Sequence, residues 1–384
     1  MVAAAKWGYP GAMRRSLLFS ALLVITALFP SAASAAPERY IVVLKDGVSN
    51  SAAVAGEHSR RHGASVGFVY GHALKGYSAT IPSERVAALR ADSRVDYVVA
   101  DGVASAVAQT LPWGIDRINA DTSSTLAGNG SGAVINVNAY VIDSGIAAHA
   151  DLNLVGHVNF ANGKNTDCNG HGTHVAGTIA ARDDASYVVG VAPGAPLTGV
   201  KVLGCNGSGS WSGVIRGIDW VTANARKPAV ANMSLGGGAN QAVDDAVRRS
   251  AGSGVFYALA AGNEGANACN SSPARAGTTS GVLTTAATDS AEREASWSNF
   301  GPCVDLWSPG VGILSTSRGG GTTTMSGTSM ASPHSAGGGA LYLSRNVGAS
   351  PAAVEGALRS SAVSTGTTSK YNATAIRRLN VGGF

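Results

Sequence analysis

The sequence predicts an α/β protein in which helices cover both faces of a mostly parallel sheet, preceded by a small α+β unit. From residue 109 onward, apolar runs without strict alternation are separated by helical stretches. Such runs are typical of parallel strands that are buried on both faces. Strands are predicted at 133–142, 197–203, 229–234, 254–260 and 282–286, and helices at 171–181, 212–225 and 240–250. In this kind of sheet the ligand site lies at the carboxyl ends of the strands.

Residues 37–108 form the smaller predicted unit. Strands at 40–47, 76–81 and 95–99 alternate with helices at 52–62 and 84–90, which gives the order β-α-β-α-β. The chain is therefore divided into three parts, at residues 1–36, 37–108 and 109–384.

Residues 1–36 have the pattern of a secretory signal peptide. Met13-Arg14-Arg15 precedes an apolar run at 17–29 and six small residues at 31–36. This is the order of a basic region, an apolar region and a signal peptidase site. The competing interpretation is a transmembrane anchor, for which the run is short. Met13 is an alternative start, and the mature protein is expected to be secreted without a membrane segment.

Composition excludes two other classes of protein. The 384-residue chain is 45% hydrophobic and only 13% charged, so it is not a charge-rich disordered tail. Its net charge of +5 suggests a nucleic-acid partner. However, residues 1–36 hold three basic residues and no acidic one, whereas residues 109–384 hold seventeen basic and sixteen acidic residues. Most of the excess lies in the signal peptide, so no nucleic-acid partner is expected.

Four residues at predicted strand or helix ends indicate nucleophilic chemistry. Asp143 ends a strand, His171 and Ser329 open helices, and Asn263 follows a strand. A serine attacks well only when an imidazole takes its proton and a carboxylate orients that imidazole. The Ser329 N–H at a helix start and the Asn263 amide can donate to a developing oxyanion. Taken alone, Asp143 is more typical of a helix cap, but the set predicts acyl transfer.

These stretches resemble the subtilase family of serine proteases, and within it the secreted proteinase K-like branch. The matching motifs are YVIDSG at 140–145, NGHGTHVAGT at 169–178, ALAAGN at 258–263 and SGTSMASPH at 326–334, with PWGIDRI at 112–118. The resemblance runs from about residue 40 to near the C-terminus. It implies a subtilisin-like sheet, protein and peptide substrates, and no organic cofactor. It also implies roles for four residues, with Ser329 as nucleophile, His171 as general base and acid, Asp143 as orienting carboxylate and Asn263 as oxyanion donor.

The sequence departs from the family pattern at three serines. Ser144 and Ser332 stand where Thr is usual. Ser335 stands where an apolar residue is common on the active-site helix, and it is expected to loosen the packing there.

The histidines allow another interpretation. His171 and His174 are spaced like two metal ligands, but no Glu follows His171 as in the zinc motif HExxH. The resemblance assigns the base role to His171 alone. His149, His157, His174 and His334 are therefore interpreted as structural or surface residues.

The resemblance also implies a cleft in which an extended peptide adds a strand to a sheet edge. Its walls are placed at two short stretches, Ser234, Leu235 and Gly236 on one side and Gly207, Ser208 and Gly209 on the other. Trp211 either bounds a pocket several residues before the scissile bond or simply packs in the core. No charge occurs in these stretches, which favours apolar and aromatic substrate side chains.

All four cysteines lie in the large domain, and an even number in an exported chain indicates disulfides with three possible pairings. The resemblance favours Cys168–Cys205 and Cys269–Cys303.

The family also binds structural calcium. Asp305 matches a ligand position, with backbone carbonyls near Ser280 and Val282 as partners. A cap or turn role is the alternative for Asp305.

In the family, a unit such as residues 37–108 is a ferredoxin-like propeptide that acts as inhibitor and intramolecular chaperone and is removed by the enzyme itself. Cleavage is expected within 104–109, leaving a monomer. The alternative is a catalytically silent binding or chaperone module on the same fold. The intact set Asp143, His171, Asn263 and Ser329 favours a secreted endopeptidase.

Overall fold

The structure is a computed structural model that describes residues 38–102 and 109–384, which belong to two compact units. The predicted signal peptide and nearly all of the predicted cleavage region lie outside the described residues. None of the helices in the described ranges is long and apolar enough to cross a membrane.

The first unit is a four-stranded antiparallel sheet packed against two helices. Its elements are β1 (Glu38–Leu44), α1 (Ser51–His62), β2 (Ser65–Tyr70), β3 (Gly76–Ile81), α2 (Ser83–Arg90) and β4 (Val95–Ala100). The strands lie in the order β2-β3-β1-β4. Helix α1 begins after Asn50, whose side chain accepts a hydrogen bond from the Ala53 N–H, and ends at Gly63 in a left-handed conformation. Val42, Tyr77 and Leu89 lie in the core of this unit.

The predicted β-α-β-α-β order misses β2. This strand lies at the edge of the sheet, and each of its side chains is exposed or half-buried. Its pairing with β3 also shifts register between Val66 and Val69. An edge strand of this kind lacks the alternation of buried and exposed side chains by which strands are recognised in sequence.

The second unit contains a nine-stranded sheet, two short two-stranded sheets and six α-helices in the described residues. Its strands are β5 (Asn138–Asp143), β6 (Leu154–Asn159), β7 (Leu197–Lys201), β8 (Ala229–Met233), β9 (Gly237–Gly238), β10 (Val255–Ala260), β11 (Ser271–Ser272), β12 (Val282–Thr288), β13 (Leu306–Pro309), β14 (Ile313–Thr316), β15 (Thr322–Met325), β16 (Val363–Thr368) and β17 (Ala375–Arg378). Its helices are α3 (Trp113–Arg117), α4 (His171–Ala180), α5 (Trp211–Asn224), α6 (Gln241–Gly252), α7 (Thr328–Arg345) and α8 (Pro351–Ser361).

The large sheet has the strand order β16-β17-β13-β12-β10-β8-β5-β7-β6, and its neighbours are parallel except for β16 and β17. Successive residues of one strand enter different cores. Val141 of β5 packs into the core shared with α4, α7 and α8, whereas Tyr140 and Ile142 pack into the core shared with α5 and α6. The predicted parallel sheet with both faces covered is confirmed.

The path of the chain reverses direction across the sheet at β5. From β5 it continues to β6 and β7 on one side, and then crosses to β8, β10, β12 and β13 on the other. Such a reversal opens a crevice at the carboxyl ends of the central strands. The residues that follow β5, β7, β8 and β10 therefore converge at one edge of the sheet.

Two disulfides are present in the described residues. Cys168 is bonded to Cys205 and Cys269 to Cys303, with S–S distances of 2.06 and 2.10 Å. This is the pairing that the resemblance implies.

Ser335 lies buried in α7. Its Oγ accepts a hydrogen bond from Thr285 Oγ1 of β12 at 2.8 Å. The serine therefore has a polar partner across the helix–sheet interface.

We predict that α4 tolerates no side chain at Gly177. A Cβ there would overlap Thr316 Oγ1 and Ser315 Oγ, because the helix packs closely against β14. We expect Gly177→Ala to lower the free energy of unfolding by about 1–3 kcal/mol. Denaturant titration measures this change.

The matched control is Gly356→Ala in α8. A Cβ at this exposed position has no neighbour within 4 Å. We expect this change to raise the free energy of unfolding by roughly 0.5–1 kcal/mol through helix propensity. Equal effects of the two changes would contradict the packing argument.

Candidate active site

Asp143 and His171 form a buried pair at the carboxyl edge of the sheet. Asp143 ends β5 and is fully buried, and His171 opens α4 with a quarter of its side chain exposed. His171 Nδ1 lies 2.8 Å from Asp143 Oδ1 and 3.0 Å from Oδ2. Since the carboxylate only accepts, Nδ1 carries the proton and Nε2 is left to act as a base.

The surroundings of His171 raise its pKa. Burial lowers the pKa of the imidazole, but the charge of Asp143, its hydrogen bond and the charge of Asp167 together outweigh burial. The pair thus favours the imidazolium that forms when His171 accepts a proton.

Glycine at position 172 permits this contact. A Cβ there would overlap the backbone carbonyl of Gly145 and would lie 3.2 Å from the Asp143 Cβ. The first turn of α4 can therefore approach the end of β5 closely only without a side chain at this position.

Asp167 organises the start of α4, a role that was not predicted from the sequence. Its Oδ1 accepts hydrogen bonds from Gly170 N–H (2.8 Å) and Ser144 Oγ (3.0 Å). Its Oδ2 accepts from Thr173 N–H (3.0 Å) and Thr173 Oγ1 (2.6 Å). Ser144 Oγ in turn accepts from Gly172 N–H at 2.9 Å. No sequence signal indicates this role, because Asp167 lies three residues before Gly170, the N-cap residue of α4.

Ser329 is the second residue of α7 and lines the same cavity of about 510 Å³ as His171. Its hydroxyl donates to the backbone carbonyl of Ser234 at 3.1 Å. In the described part of the chain, no hydrogen bond joins this hydroxyl to His171. Proton transfer to His171 therefore requires the hydroxyl to leave Ser234, as catalytic hydrogen bonds often form only with substrate present.

A chain of hydrogen bonds holds the first turn of α7 against the end of β8. Ser332 Oγ donates to Asn232 Oδ1 at 2.7 Å, and Asn232 Nδ2 donates to Ser234 Oγ at 2.8 Å. Ser234 Oγ donates to the Ser329 carbonyl at 2.7 Å. The serine at 332, where the family usually has Thr, keeps the hydroxyl that this chain uses.

Asn263 lies in the loop after β10, with its amide orientation fixed by Thr328. Its Oδ1 accepts from Thr328 N–H (2.8 Å) and Thr328 Oγ1 (2.9 Å), and Thr328 Oγ1 accepts from Gly262 N–H (3.0 Å). Because a backbone N–H can only donate, the atom that faces it is the amide oxygen. The Asn263 NH₂ group can therefore donate beside Ser329, and both residues line a second cavity of about 370 Å³. The orienting role of Thr328 was not predicted.

The two stretches predicted as cleft walls line the first cavity. They are Gly207, Ser208 and Gly209 on one side and Ser234, Leu235 and Gly236 on the other. Trp211 lines this cavity and also packs on the hydrophobic core. Its indole covers Gly237, where a Cβ would lie 2.9 Å from the ring. Trp211 therefore both bounds the cavity and packs on the core, which are the two predicted alternatives.

The second cavity contains a charged residue that lies outside the two predicted wall stretches. Glu264 lines it, and its Oε2 accepts from Asn299 Nδ2 at 2.7 Å. This residue directly follows Asn263, outside the two stretches from which the expectation was drawn.

The buried histidines at 174 and 334 have structural contacts. His174 Nε2 donates to the carbonyls of Ile313 (3.0 Å) and Thr323 (3.2 Å). His334 Nδ1 donates to the Met330 carbonyl at 2.8 Å. Burial lowers the pKa of each to about 4, so both rings are neutral at pH 7. Among the residues that the structure describes, no cluster of three or more His, Cys, Asp or Glu side chains could hold a metal ion.

His149 and His157 are also tied to their surroundings. His149 Nε2 donates to the Gly321 carbonyl at 2.8 Å, and His157 Nε2 accepts from the Ile146 N–H at 3.0 Å.

The surroundings of Asp305 do not fit the predicted calcium ion. Its Oδ2 accepts from Thr284 N–H at 2.8 Å, and its Oδ1 accepts from the Arg359 guanidinium at 3.1 Å. Arg359 also pairs with Glu355 at 3.1 Å. Burial raises the pKa of Asp305 to about 7, although Thr284 and Arg359 oppose the rise. A guanidinium thus lies beside the oxygen that a calcium ion would need.

A set of oxygen atoms around Gln109 fits a hard cation better. The Gln109 side-chain nitrogen donates to the carbonyls of Arg182 (2.8 Å), Val188 (3.2 Å) and Ser186 (3.5 Å). Asp151 is buried beside this loop, and its Oδ2 accepts from Val188 N–H at 3.2 Å. Within the described residues its Oδ1 has no hydrogen-bond partner. Carbonyl and carboxylate oxygens, together with an amide that can present its own oxygen, are the ligands that calcium prefers.

Comparison with known families agrees with this geometry. Residues 133–379 match the subtilase family, and residues 39–106 match the peptidase inhibitor I9 family.

Comparison with individual proteins gives the same result. The chain is 46% identical over 314 residues to alkaline serine exoprotease A of Vibrio alginolyticus, covering 78% of this chain but 57% of that protein. The chain thus spans less than two thirds of that relative. It is 44% identical over 317 residues to an extracellular serine proteinase of Thermus sp. (strain Rt41A), covering 77% of this chain and 73% of the relative.

A solved structure is also similar. The crystal structure of a cold-adapted subtilisin-like serine proteinase aligns with a TM-score of 0.62 and 43% identity, covering 72% of this chain and 99% of that chain. The subtilisin-like fold that the resemblance implied is confirmed.

We predict that removing the charge of Asp143 lowers the pKa of His171. In the native pair the carboxylate outweighs the effect of burial, so Asp143→Asn leaves burial as the larger effect and favours the neutral ring. An NMR titration of the His171 imidazole measures the change. Asp219→Asn, at an exposed site on α5, is the matched control and should leave the pKa unchanged. An unchanged His171 titration in the Asp143 variant would contradict the prediction.

Proposed function

The chain belongs to the subtilase family, and from this premise we propose that it is a secreted serine endopeptidase that cleaves peptide bonds through an acyl-enzyme. One observation carries the proposal. His171, which pairs with the buried Asp143 at 2.8 Å, lines a single cavity with Ser329. A carboxylate paired with an imidazole, and a hydroxyl in the same cavity as that imidazole, are the groups that nucleophilic acyl transfer requires.

The proposed reaction has two halves. As Ser329 Oγ attacks the scissile carbonyl carbon, its proton moves to His171 Nε2 and the carbonyl oxygen becomes an oxyanion. The intermediate collapses when the C–N bond breaks and the amine leaves with the proton from His171. Water then attacks the acyl-enzyme in the same way, with His171 again taking and returning the proton, and releases the acid.

The surrounding groups stabilise the charges that form in these steps. Asp143 stabilises the imidazolium of His171. The oxyanion is held by the Ser329 N–H, at the start of α7, and by the Asn263 NH₂ that Thr328 orients. Such preorganised donors stabilise the transition state more than the ground state.

Residues 37–108 are proposed to be an inhibitory propeptide. The match to the peptidase inhibitor I9 family supports this role. We propose that the unit assists folding, occupies the enzyme as an inhibitor and is removed by the enzyme's own site within 104–109. Residues 1–36 direct export, and the mature enzyme is a monomer.

The second candidate is a catalytically silent binding module on the same fold. Such a module has no use for an oriented imidazole, an activated hydroxyl and an oxyanion donor in one place. The geometry of Asp143, His171, Ser329 and Asn263 therefore favours the enzyme.

We predict hydrolysis of casein that depends on Ser329. A serine-directed phosphonylating reagent should abolish it, and Ser329→Ala should both abolish hydrolysis and leave the chain unprocessed, because no nucleophile remains. Asn263→Leu should lower kcat by about 10²–10³ through loss of one oxyanion donor. Activity assays and the mass of the purified chain measure these effects.

Ser344→Ala, at the far end of α7, is the matched control and should keep both activities. No hydrolysis by correctly folded and processed protein would overturn the endopeptidase. Maturation of pure Ser329→Ala protein would overturn self-processing.

We also propose that calcium binds at Gln109 and Asp151. The bound ion would compensate the unpartnered, buried Asp151 Oδ1 and tie the loop of Arg182, Ser186 and Val188 to the segment that holds Gln109. Its contribution is structural, since such a site binds only the folded chain.

Calcium is predicted to raise the melting temperature of the Ser329→Ala chain, which cannot digest itself. Asp151→Asn should remove this rise because it takes away the charged ligand, whereas Asp305→Asn should keep it. Thermal unfolding with calcium and with a chelator measures the difference. A calcium-dependent rise lost in the Asp305 variant and kept in the Asp151 variant would show that the assignment is wrong.

A further inference from the structure

A fully buried lysine lies directly behind the catalytic pair. Lys201 is the last residue of β7, is completely inaccessible to solvent and pairs in register with Asp143 of β5. Its Nζ donates to the carbonyls of Ser144 (2.7 Å) and Leu203 (2.8 Å) and lies 3.6 Å from Cys168 Sγ. A buried ammonium group destabilises the fold unless neighbouring groups compensate its charge, so the contacts of Lys201 must offset this cost.

The hydrogen bonds of Lys201 join two segments of the site. Ser144 follows Asp143, and Leu203 leads into the cleft wall at 207–209. The same segments are held by the Asp143 carbonyl, which accepts from Val202 N–H (2.8 Å) and Leu203 N–H (3.1 Å). Lys201 therefore fastens the end of β5 to the strand that positions one wall of the cleft.

Two carboxylates act on the charge of Lys201 from beyond ion-pair distance. In the described residues no carboxylate is within 4 Å of its ammonium group, but Asp143 and Asp167 both act on it. Burial lowers the pKa of Lys201, and these two carboxylates oppose the fall. Asp143 and Asp167 are themselves buried.

We propose that Lys201 is a positioning residue of the catalytic site, whose buried ammonium group fixes the segment after Asp143 and offsets part of the negative charge around His171. The proposal rests on the proposed endopeptidase function. Lys201 acts through Asp143 and touches neither substrate nor reacting atoms.

The groups around the pair determine the sign of the effect. The charged groups that face His171 and Asp143 are Asp167, before α4, and Lys201, on β7. His174 on α4 is neutral, and burial lowers the pKa of His157 on β6, whose Nε2 accepts a hydrogen bond. Neutralising Lys201 removes a positive charge that offsets Asp143 and Asp167, so the imidazolium of His171 becomes more favourable. The pKa of His171 should therefore rise, and activity should be lost at a higher pH on acidification.

The test compares neutral and charged substitutions at position 201. Lys201→Gln keeps an N–H donor for the two carbonyls without the charge, Lys201→Met removes both, and Lys201→Arg keeps the charge. We expect both neutral variants to move the acid limb of the kcat/KM profile to higher pH by about 0.5 unit or more. This is the size of pKa shift that a nearby charge causes at a buried site. Lys201→Arg, where it folds, should keep the limb of the native enzyme. Lys164→Gln, at an exposed position in the loop before Cys168, is the matched control and should leave the limb in place.

A second measurement does not need activity. NMR titration of His171 in the Ser329→Ala chain should show the same upward shift of its pKa in Lys201→Gln. This titration tests the role of Lys201 even if the native chain has no protease activity. The proposed endopeptidase function and the proposed role of Lys201 can therefore be overturned independently. The neutral variants could instead lower the plateau of kcat/KM or the melting temperature while leaving both the acid limb and the pKa of His171 unchanged. That result would overturn the proposal. Failure of both neutral variants to fold would also overturn it, since the charge would then serve the fold.

Discussion

The contact on which the site depends is the hydrogen-bonded pair of Asp143 and His171, formed where β5 ends and α4 begins. Asp143 is fully buried, so its charge is stable only because it accepts hydrogen bonds and lies near cationic or polarisable groups. Asp167, Ser144 and Gly172 bring the helix to the strand, and Lys201 supplies a positive charge behind them. The same contacts therefore pack α4 against the sheet and hold Asp143 and His171 together.

The second half of the site is built on the opposite side of the switch in strand order. Helix α7 carries Ser329, and its first turn is fastened to the end of β8 through Ser234 and to the loop after β10 through Thr328. These contacts are made by hydroxyl and amide groups, whose hydrogen bonds are directional. The nucleophile and the oxyanion donors thus keep their relative positions, while the hydroxyl of Ser329 is free to exchange one partner for another.

The elements predicted most accurately are those with long apolar runs. The strands at β5, β7, β8, β10 and β12, and the helices α4, α5 and α6, lie within a few residues of their predicted positions because burial on both faces leaves a strong hydrophobic signal. The edge strand β2 was missed because its side chains are exposed. Glu264 of the second cavity was not identified, because it lies in the loop after β10, outside the two stretches predicted as cleft walls.

The sequence by itself determined the family, the sheet covered on both faces and the identities of Asp143, His171, Asn263 and Ser329, because these are properties of residue type, order and hydrophobic pattern. Only the tertiary structure decided which residues support them. Thr328 and Lys201 act through contacts between segments far apart in the chain, and Asp167 joins the start of α4 to Ser144 after β5. The oxygen atoms around Gln109 are largely backbone carbonyls, which every residue carries, so no sequence pattern distinguishes them. Their convergence follows from how the loop after α4 packs beside Gln109 and Asp151.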